Sequence, residues 1–232
     1  MGWLWFSGFS IVCALFGSCL TVFYGPGAAG SGITELIAYL NGVNYPLLLS
    51  FETLFTKIFG VIGAVVGNLC VGKEGPMAHI GANIGAVVAY FPLPKFEYLR
   101  NDWHKREMIA VGVSAGVSTA FGAPVGGALF AFEMSKPNTF WRFGVLWKAF
   151  FACSIAVLSQ SVILKLMKSG NANDVSAVHE LKFKATFVES PTMDTIPAAI
   201  ILGIICGLLG SLFVFVNTRL NKRRKLFITK KW

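Results

Sequence analysis

The sequence predicts an all-α polytopic membrane protein. Hydrophobic residues make up 55% of the 232 residues and charged residues only 13%, whereas a soluble domain carries about 25% charged residues. The mean hydropathy is +0.65, and several apolar stretches reach the roughly 20 residues that a helix needs to cross the hydrocarbon core. The chain therefore has too few charges to cover a surface that faces water.

Charge and cysteine usage exclude several classes of function. The net charge of +9 indicates loops that face an anionic membrane surface, so we expect membrane lipid and no nucleic acid as partners. All five cysteines lie in apolar runs, which favours packing residues over a disulfide framework or a metal site. The three histidines are scattered, and no Ser/His/Asp, paired-Asp or His-Glu-x-x-His constellation occurs. We therefore expect no enzyme activity, metal or cofactor.

The first element predicted is a spanning helix over Trp3–Tyr24, which ends at Gly25-Pro26-Gly27 because that triplet cannot continue a helix. Met1 leads directly into this apolar segment without a basic region, so we expect no cleavable targeting signal. Such a start is typical of a cut made inside a longer protein.

A helix too short to cross the membrane is predicted next, ending at Asn41-Gly42. Ser31, flanked by glycines, precedes it, and this arrangement can form an anion cradle from hydroxyl and N–H donors. An ordinary serine N-cap explains Ser31 equally well. The apolar positions form one face about two and a half turns long: Ile33, Leu36, Ile37 and Leu40.

A second spanning helix is predicted over Leu47–Val71, with Glu52 and Lys57 near its entrance. After it, Lys73 and Glu74 interrupt the apolar run over 67–85. Ionisable residues at membrane depth cost roughly 2.5–3.5 kcal/mol each and mark functional sites by default.

A helix that starts near Pro76 and continues through Tyr90 is expected, since proline suits a first helical turn. Its positive end would point at the Glu74 region, as an anion site requires. A structural break with Lys73 and Glu74 paired locally is the alternative. A nucleotide-binding loop also fits residues 67–73, but Glu74 replaces the hydroxyl that should hold Mg²⁺ and no strand pattern precedes it.

The rest of the chain alternates polar segments with spans. We predict that the helix ends at 91–94 and that the polar stretch 95–107 is cytoplasmic, because short loops rich in Lys and Arg stay inside. Residues 108–134 are rich in small side chains, which suits a tightly packed scaffold, and Pro124 divides them into two helices.

Two further spans are predicted over Phe140–Leu166 and Ile196–Val216. The mixed-charge segment 168–195 between them reads as a loop on the opposite side of the membrane. The basic residues at 221–225 and 230–231 form a cytoplasmic tail.

Three segments together resemble the CLC family of chloride channels and chloride/proton exchangers. They are G-S-G-I-T-E (30–35), G-K-E-G-P (72–76) and A-F-G-A-P-V-G-G-A-L-F-A-F-E (120–133). The resemblance implies a partial CLC-type fold in which half-helices point their N-termini at an anion pathway. Residues 1–232 would cover about helices C to J, without the cytoplasmic CBS domains, the G-x-F-x-P segment or the pore tyrosine. The polar stretch at 96–107 is similar to members that work in endosomes, lysosomes and vacuoles.

The resemblance also implies roles for individual residues. Ser31 would coordinate a dehydrated anion at the central site, together with Gly30 and Gly32. Glu74 would be the gating carboxylate, which occupies an anion position when the pore is shut. The backbone of Gly72, Lys73, Glu74 and Gly75 would hold an outer anion. Thr34 departs from the family, which usually has proline there, and would slightly alter the rigidity of the cradle.

Proton coupling depends on the end of the third segment. Family exchangers carry two consecutive glutamates there; this chain keeps the first as Glu133 and places Met134 at the second position. A thioether cannot relay a proton, so we expect a chloride channel of the voltage-gated type without proton coupling. The alternatives are a chloride/proton exchanger or a truncated, non-conducting subunit beside a full-length partner. The family further implies a homodimer, in an endomembrane rather than the plasma membrane.

Overall fold

A computed structural model describes residues 2–45, 47–90, 101–135, 143–169 and 195–229. Within these ranges the chain forms eight α-helices and one 3-10 turn and no β-strand, which confirms the predicted all-α class. The chain divides into two compact units, Met1–Phe183 and Lys184–Trp232. Among the described residues, three helices are long and apolar enough to cross a membrane: Gly2–Phe23, Phe143–Met167 and Ile196–Arg224.

Helix α1 (Gly2–Phe23) confirms the first predicted span. The chain then turns through the 3-10 segment Pro26–Ala28. Helix α1 packs along α3 (Phe51–Val66) at small residues, since a Cβ built on Gly63 would lie 3.3 Å from the Cys13 carbonyl oxygen. All five cysteines are free thiols.

The predicted second span over Leu47–Val71 is wrong in extent. Helix α3 has 16 residues and begins after Ser50, whose Oγ accepts a hydrogen bond from the Thr53 N–H at 3.2 Å. It is about 24 Å long, shorter than the roughly 30 Å hydrocarbon core. Apolar composition continues on both sides, but Leu47 (φ 66°) and Asn68 (φ 51°) adopt left-handed backbone that a helix cannot include.

Helix α2 (Ile33–Leu40) is the predicted short helix, with Asn41 as its C-cap. Helix α4 (Glu74–Ala89) starts two residues before Pro76, so proline occupies its first turn as predicted. The two helices contact one another. The interpretation of 67–73 as a nucleotide loop fails here too, because the preceding element is helix α3.

Helix α4 packs against α5 (Asp102–Phe121) at backbone distance. A Cβ built on Gly81 would overlap the carbonyl oxygen of Gly112, and a Cβ on Gly112 would overlap that of Gly81. A Cβ on Gly85 would lie 2.5 Å from the Met108 carbonyl oxygen. This close approach is the tightly packed scaffold that the small residues predict. Residues 102–107 of the predicted polar stretch are helical rather than a loop.

The predicted division at Pro124 is confirmed. Gly122 (φ 67°) is the C-cap of α5, and α6 (Pro124–Ser135) begins two residues later. Helices α2, α4, α5 and α6 share one buried apolar cluster, whose larger members include Leu36, Tyr39, Leu40, Ile109, Val113 and Met134.

Helix α7 (Phe143–Ser169) confirms the predicted span in this region. It is joined to α5 by an ion pair in which Lys148 Nζ lies 2.6 Å from Glu107 Oε1. Near the start of α5, Lys105 Nζ lies 4.8 Å from the Tyr90 ring centroid and 5.8 Å from that of Tyr39. Cations over aromatic faces are favourable at such distances.

The second unit contains helix α8 (Thr195–Thr229). Its 35 residues make it about 52 Å long, and its apolar part confirms the predicted span. The basic residues at 221–225 belong to this helix rather than to a tail, because Lys and Arg are good helix formers. The predictions for 91–100, for the loop at 170–194 and for 230–231 fall outside the described residues.

Candidate functional site

The Ser31 segment forms an open turn before α2. Gly30 (φ 70°) and Gly32 (φ 82°) adopt left-handed backbone, which glycine reaches without strain. Gly32, rather than Ser31, is the N-cap residue of α2. The Ile33 N–H lies 3.4 Å from Ser31 Oγ, too long for a strong hydrogen bond. The interpretation of Ser31 as an ordinary N-cap is therefore wrong, and its exposed hydroxyl remains available to a ligand.

Glu74 is the first residue of α4 and is half-buried. Its carboxylate folds back over the preceding turn, because a Cβ built on Gly72 would overlap Glu74 Oε2. Lys73 is exposed and serves as N-cap of α4 without a side-chain capping bond. A carboxylate at this end of a helix is favoured by the partial positive charge there. Among the described ion pairs, Lys73 and Glu74 do not form the local pair of the structural-break interpretation.

The starts of α2 and α4 meet at Ser31 and Gly75. A Cβ built on Gly75 would lie 2.8 Å from Ser31 Cβ and 3.2 Å from Ile33 Cδ1. Only a residue without a side chain permits this approach. The prediction that half-helices converge with their N-termini is confirmed at this contact.

His79, on α4, packs against the same turn at Gly32. It is fully buried, and its Nε2 lies 2.9 Å from the Leu48 carbonyl oxygen. A nitrogen at that distance from a carbonyl carries the proton and donates it, which leaves Nδ1 as an acceptor. Nδ1 lies against Gly32, where an added Cβ would overlap it, and it has no hydrogen-bond partner within the described part of the chain.

Lys57, on α3, is a functional candidate that spacing alone could not identify. It is 3% exposed, and its ammonium donates hydrogen bonds to the Ala28 oxygen at 2.9 Å and to the Gly30 oxygen at 2.8 Å. It is a candidate because it contacts Gly30, 27 residues earlier in the chain, in the turn that carries Ser31. The signal available in the sequence was a cation inside an apolar helix.

A cavity of about 650 Å³ opens beside this turn. Helices α1 and α3, the segment 28–31, Gly72 and Pro76 line it, and Lys57 is the only charged residue among the described lining residues. The hydroxyl-bearing residues of the lining are Ser18, Thr21, Ser31 and Thr56. Ser18 and Thr21 donate to carbonyl oxygens of their own helix, so the wall offers the hydroxyls of Ser31 and Thr56 beside one positive charge.

Glu133 and Met134 lie at the other end of the short helix. Met134 is 6% exposed within the apolar cluster, and its carbonyl oxygen accepts from Asn41 Nδ2 at 3.4 Å. Glu133 is exposed. Among the candidate residues, the structure therefore brings Ser31, Glu74 and their neighbouring glycines together. Glu133 and Met134, on α6, are separated from this group by the length of α2.

In comparisons with known proteins, the chain matches the family model described as "Voltage gated chloride channel" over residues 11–232. The chain is 39% identical over 225 residues to the human "H(+)/Cl(-) exchange transporter 7", covering 92% of this chain and 27% of that protein. It is 35% identical over 235 residues to "Chloride channel protein CLC-a" of Arabidopsis thaliana, covering 97% of this chain and 30% of that protein. The chain thus spans less than a third of these relatives' length.

Among solved structures, the chain matches the "X-ray crystal structure of a slow cyanobacterial Cl-/H+ antiporter" with a TM-score of 0.68 and 26% identity, over 90% of this chain and 44% of that one. It matches the "Crystal Structure of a eukaryotic CLC transporter" with a TM-score of 0.59 and 26% identity, over 69% of this chain and 29% of that one.

Proposed function

Because the chain belongs to the voltage-gated chloride channel (CLC) family, we propose that it forms part of a pathway for chloride or another small anion across a membrane. The observation that carries this proposal is the contact between two helix starts at Ser31 and Gly75, beside a cavity whose one described charge is that of Lys57. Each helix start carries about half a positive charge. Two such ends and one ammonium attract an anion, and Glu35 in the first turn of α2 and Glu74 in the first turn of α4 carry the opposing negative charges.

The central anion position is proposed to lie at the Ser31 turn. The Ser31 hydroxyl and the backbone N–H groups between Gly30 and Gly32 are the donors there, and the long 3.4 Å contact with the Ile33 N–H leaves the hydroxyl able to turn toward an anion. Removing the hydration shell of an anion requires several donors at once, because each backbone N–H replaces only one water contact. The nearby α4 start supplies the remaining favourable potential.

Glu74 is proposed as the gate, next to an outer anion position formed by the backbone of Gly72, Lys73 and Gly75. Its carboxylate already lies over Gly72 at the positive end of α4. A carboxylate and a chloride ion are both anions and compete for the same donors. Protonation or displacement of Glu74 therefore empties the position and opens the pathway.

The transport mode is proposed to be passive, without proton coupling, because Met134 carries no proton and is packed in the apolar cluster. Proton-coupled exchange is the second candidate. The name of the human relative, "H(+)/Cl(-) exchange transporter 7", at 39% identity, favours it. The two modes differ in whether a chloride gradient can drive protons.

The proposed activity belongs to the whole protein that contains this sequence, since the chain spans less than a third of its curated relatives. We further propose a homodimer embedded in the lipid of an endomembrane such as that of an endosome, lysosome or vacuole, with chloride as the transported ion and no cofactor.

The test is ion flux through the full-length protein in proteoliposomes loaded with potassium chloride. Addition of a potassium ionophore, which supplies the compensating charge, is expected to start chloride efflux, and protein-free liposomes are the control. Efflux of potassium without the ionophore, or no chloride efflux with it, would contradict an anion pathway.

A further inference from the structure

Lys57 is a buried cation without a described carboxylate in ion-pair contact. It is 3% exposed on α3, and the ion pairs of the described residues, His104 with Glu107 and Lys148 with Glu107, do not include it. An ammonium in such a place needs strong acceptors or a nearby negative charge, and Glu35 on α2 supplies an attractive charge at longer range. Two strong acceptors are present, the carbonyl oxygens of Ala28 and Gly30 at 2.9 and 2.8 Å.

Holding these two oxygens fixes the orientation of the peptide groups before α2. In a trans peptide the C=O and the following N–H point in opposite directions. The Gly30 oxygen is bound to Lys57, so the Ser31 N–H is directed away from the ammonium. That N–H donates to no acceptor among the described residues. The same peptide is otherwise free to rotate, because Gly30 (φ 70°) has no Cβ and a Cβ built there would meet no atom within 4 Å.

We propose, on the basis of the proposed anion pathway, that Lys57 is a positioning residue that sets the anion selectivity of the Ser31 turn. Its ammonium binds two carbonyl oxygens that would otherwise be able to face the pathway and repel an anion. The turn then presents donors, the Ser31 hydroxyl and N–H, at the start of α2. Lys57 acts through Ser31 and its neighbours and need not touch the anion.

A purely electrostatic role for Lys57 makes a different prediction. A fixed charge also ranks monovalent anions by size, because the Coulomb energy depends on the distance between charge centres, so removal of the charge alone can alter a permeability ratio. A variant that changes the shape of the turn and keeps the ammonium is therefore needed. Gly30→Ala is such a variant, and a purely electrostatic role predicts no change in the ranking of chloride, bromide and nitrate for it.

The experiment measures reversal potentials of the full-length protein in mixed chloride, bromide and nitrate. Lys57→Met is expected to change the nitrate-to-chloride permeability ratio about fivefold, the effect of one misplaced hydrogen bond, and Lys57→Arg to retain the ratio by bonding both oxygens. In the double variant with Ser31→Ala, the effect of Lys57→Met on the permeability ratio is expected to be non-additive, since both substitutions act on one turn. Ser10→Ala is the control: Ser10 lies on α1, is not among the described lining residues of the cavity, and its Oγ donates to the Phe6 oxygen of its own helix at 3.0 Å.

Two further variants keep the test decisive if Lys57→Met fails to fold. Lys57→Gln keeps one donor group, and Gly30→Ala strains the same peptide without a steric contact; both are expected to shift the ratio in the same direction. An unchanged ranking in these variants, or additive effects with Ser31→Ala, overturns the positioning role. A wild-type protein that does not select anions over cations instead overturns the proposed pathway. Failure of the positioning role and failure of the proposed pathway are therefore distinct.

Discussion

Ser31 and Gly75 lie so close that a methyl group at residue 75 would come within 2.8 Å of Ser31 Cβ. Carbon atoms pack best about 3.5–4.0 Å apart, so Gly75→Ala must displace the Ser31 turn by about 1 Å. Misplacement on this scale can reduce a rate about 100-fold, and we expect anion flux to fall by at least about tenfold. Flux per molecule of folded protein in proteoliposomes measures the effect.

The control for Gly75→Ala is Gly126→Ala, whose added Cβ would make an ordinary contact, 3.5 Å from Ala123 Cβ. It should conduct like the wild type. Equal flux through Gly75→Ala and the wild type would show that the contact between the two helix starts does not shape the pathway.

Glu74→Gln is expected to make the gate insensitive to external pH. A carboxylate at the start of α4 competes with chloride only while it is charged, and a glutamine amide does not titrate. Current is recorded across a step in external pH for both proteins. A mutant that responds to the step as the wild type does would remove Glu74 from the gate.

Ser31→Pro is expected to raise nitrate permeability relative to chloride, because proline removes both the hydroxyl and the backbone N–H donor of residue 31. Ser31→Ala separates the two effects, since alanine retains the N–H. The reversal potential in mixed anions is the readout. A potential that stays constant in Ser31→Pro would exclude Ser31 from the selectivity filter.

A chloride gradient imposed without a proton gradient is expected to drive no uphill proton movement. Met134 is packed among apolar side chains and has no titratable group, while Glu133, about 100° further around α6, is exposed. Internal pH of proteoliposomes that hold the full-length protein is followed after the gradient is applied. Uphill proton movement that Glu133→Gln abolishes would show that the protein is an exchanger and that Glu133 carries the proton.

The half-helices could be predicted because their signals are local. Glycines around Ser31, the Asn41-Gly42 stop and Pro76 in a first turn each define a helix end from neighbouring residues alone. The extent of α3 could not be predicted from composition, since its ends depend on left-handed backbone at Leu47 and Asn68 within continuous apolar sequence.

The contacts that support the candidate site join residues far apart in the chain. Lys57 meets Gly30 across 27 residues, and His79 meets Leu48 across 31. Periodicity reports which residues share a helix face, and it carries no information about which turn lies against that face. Lys57 was visible in the sequence as an ionisable residue in an apolar helix, but its partners were not.

The contact between Gly81 and Gly112 limits what can move when the pathway opens. At these glycines the two helices meet through backbone atoms, so no side-chain rotamer there can absorb a shift, and we expect α4 and α5 to move together. The proposed gate, the Glu74 side chain at the tip of α4, can then move without a change in this packing. Side-chain rotation takes picoseconds to nanoseconds where it is unhindered, against microseconds to milliseconds for helix movements. The protonation of one carboxylate, rather than the deformation of the surrounding helices, would thereby set the pace of the gate.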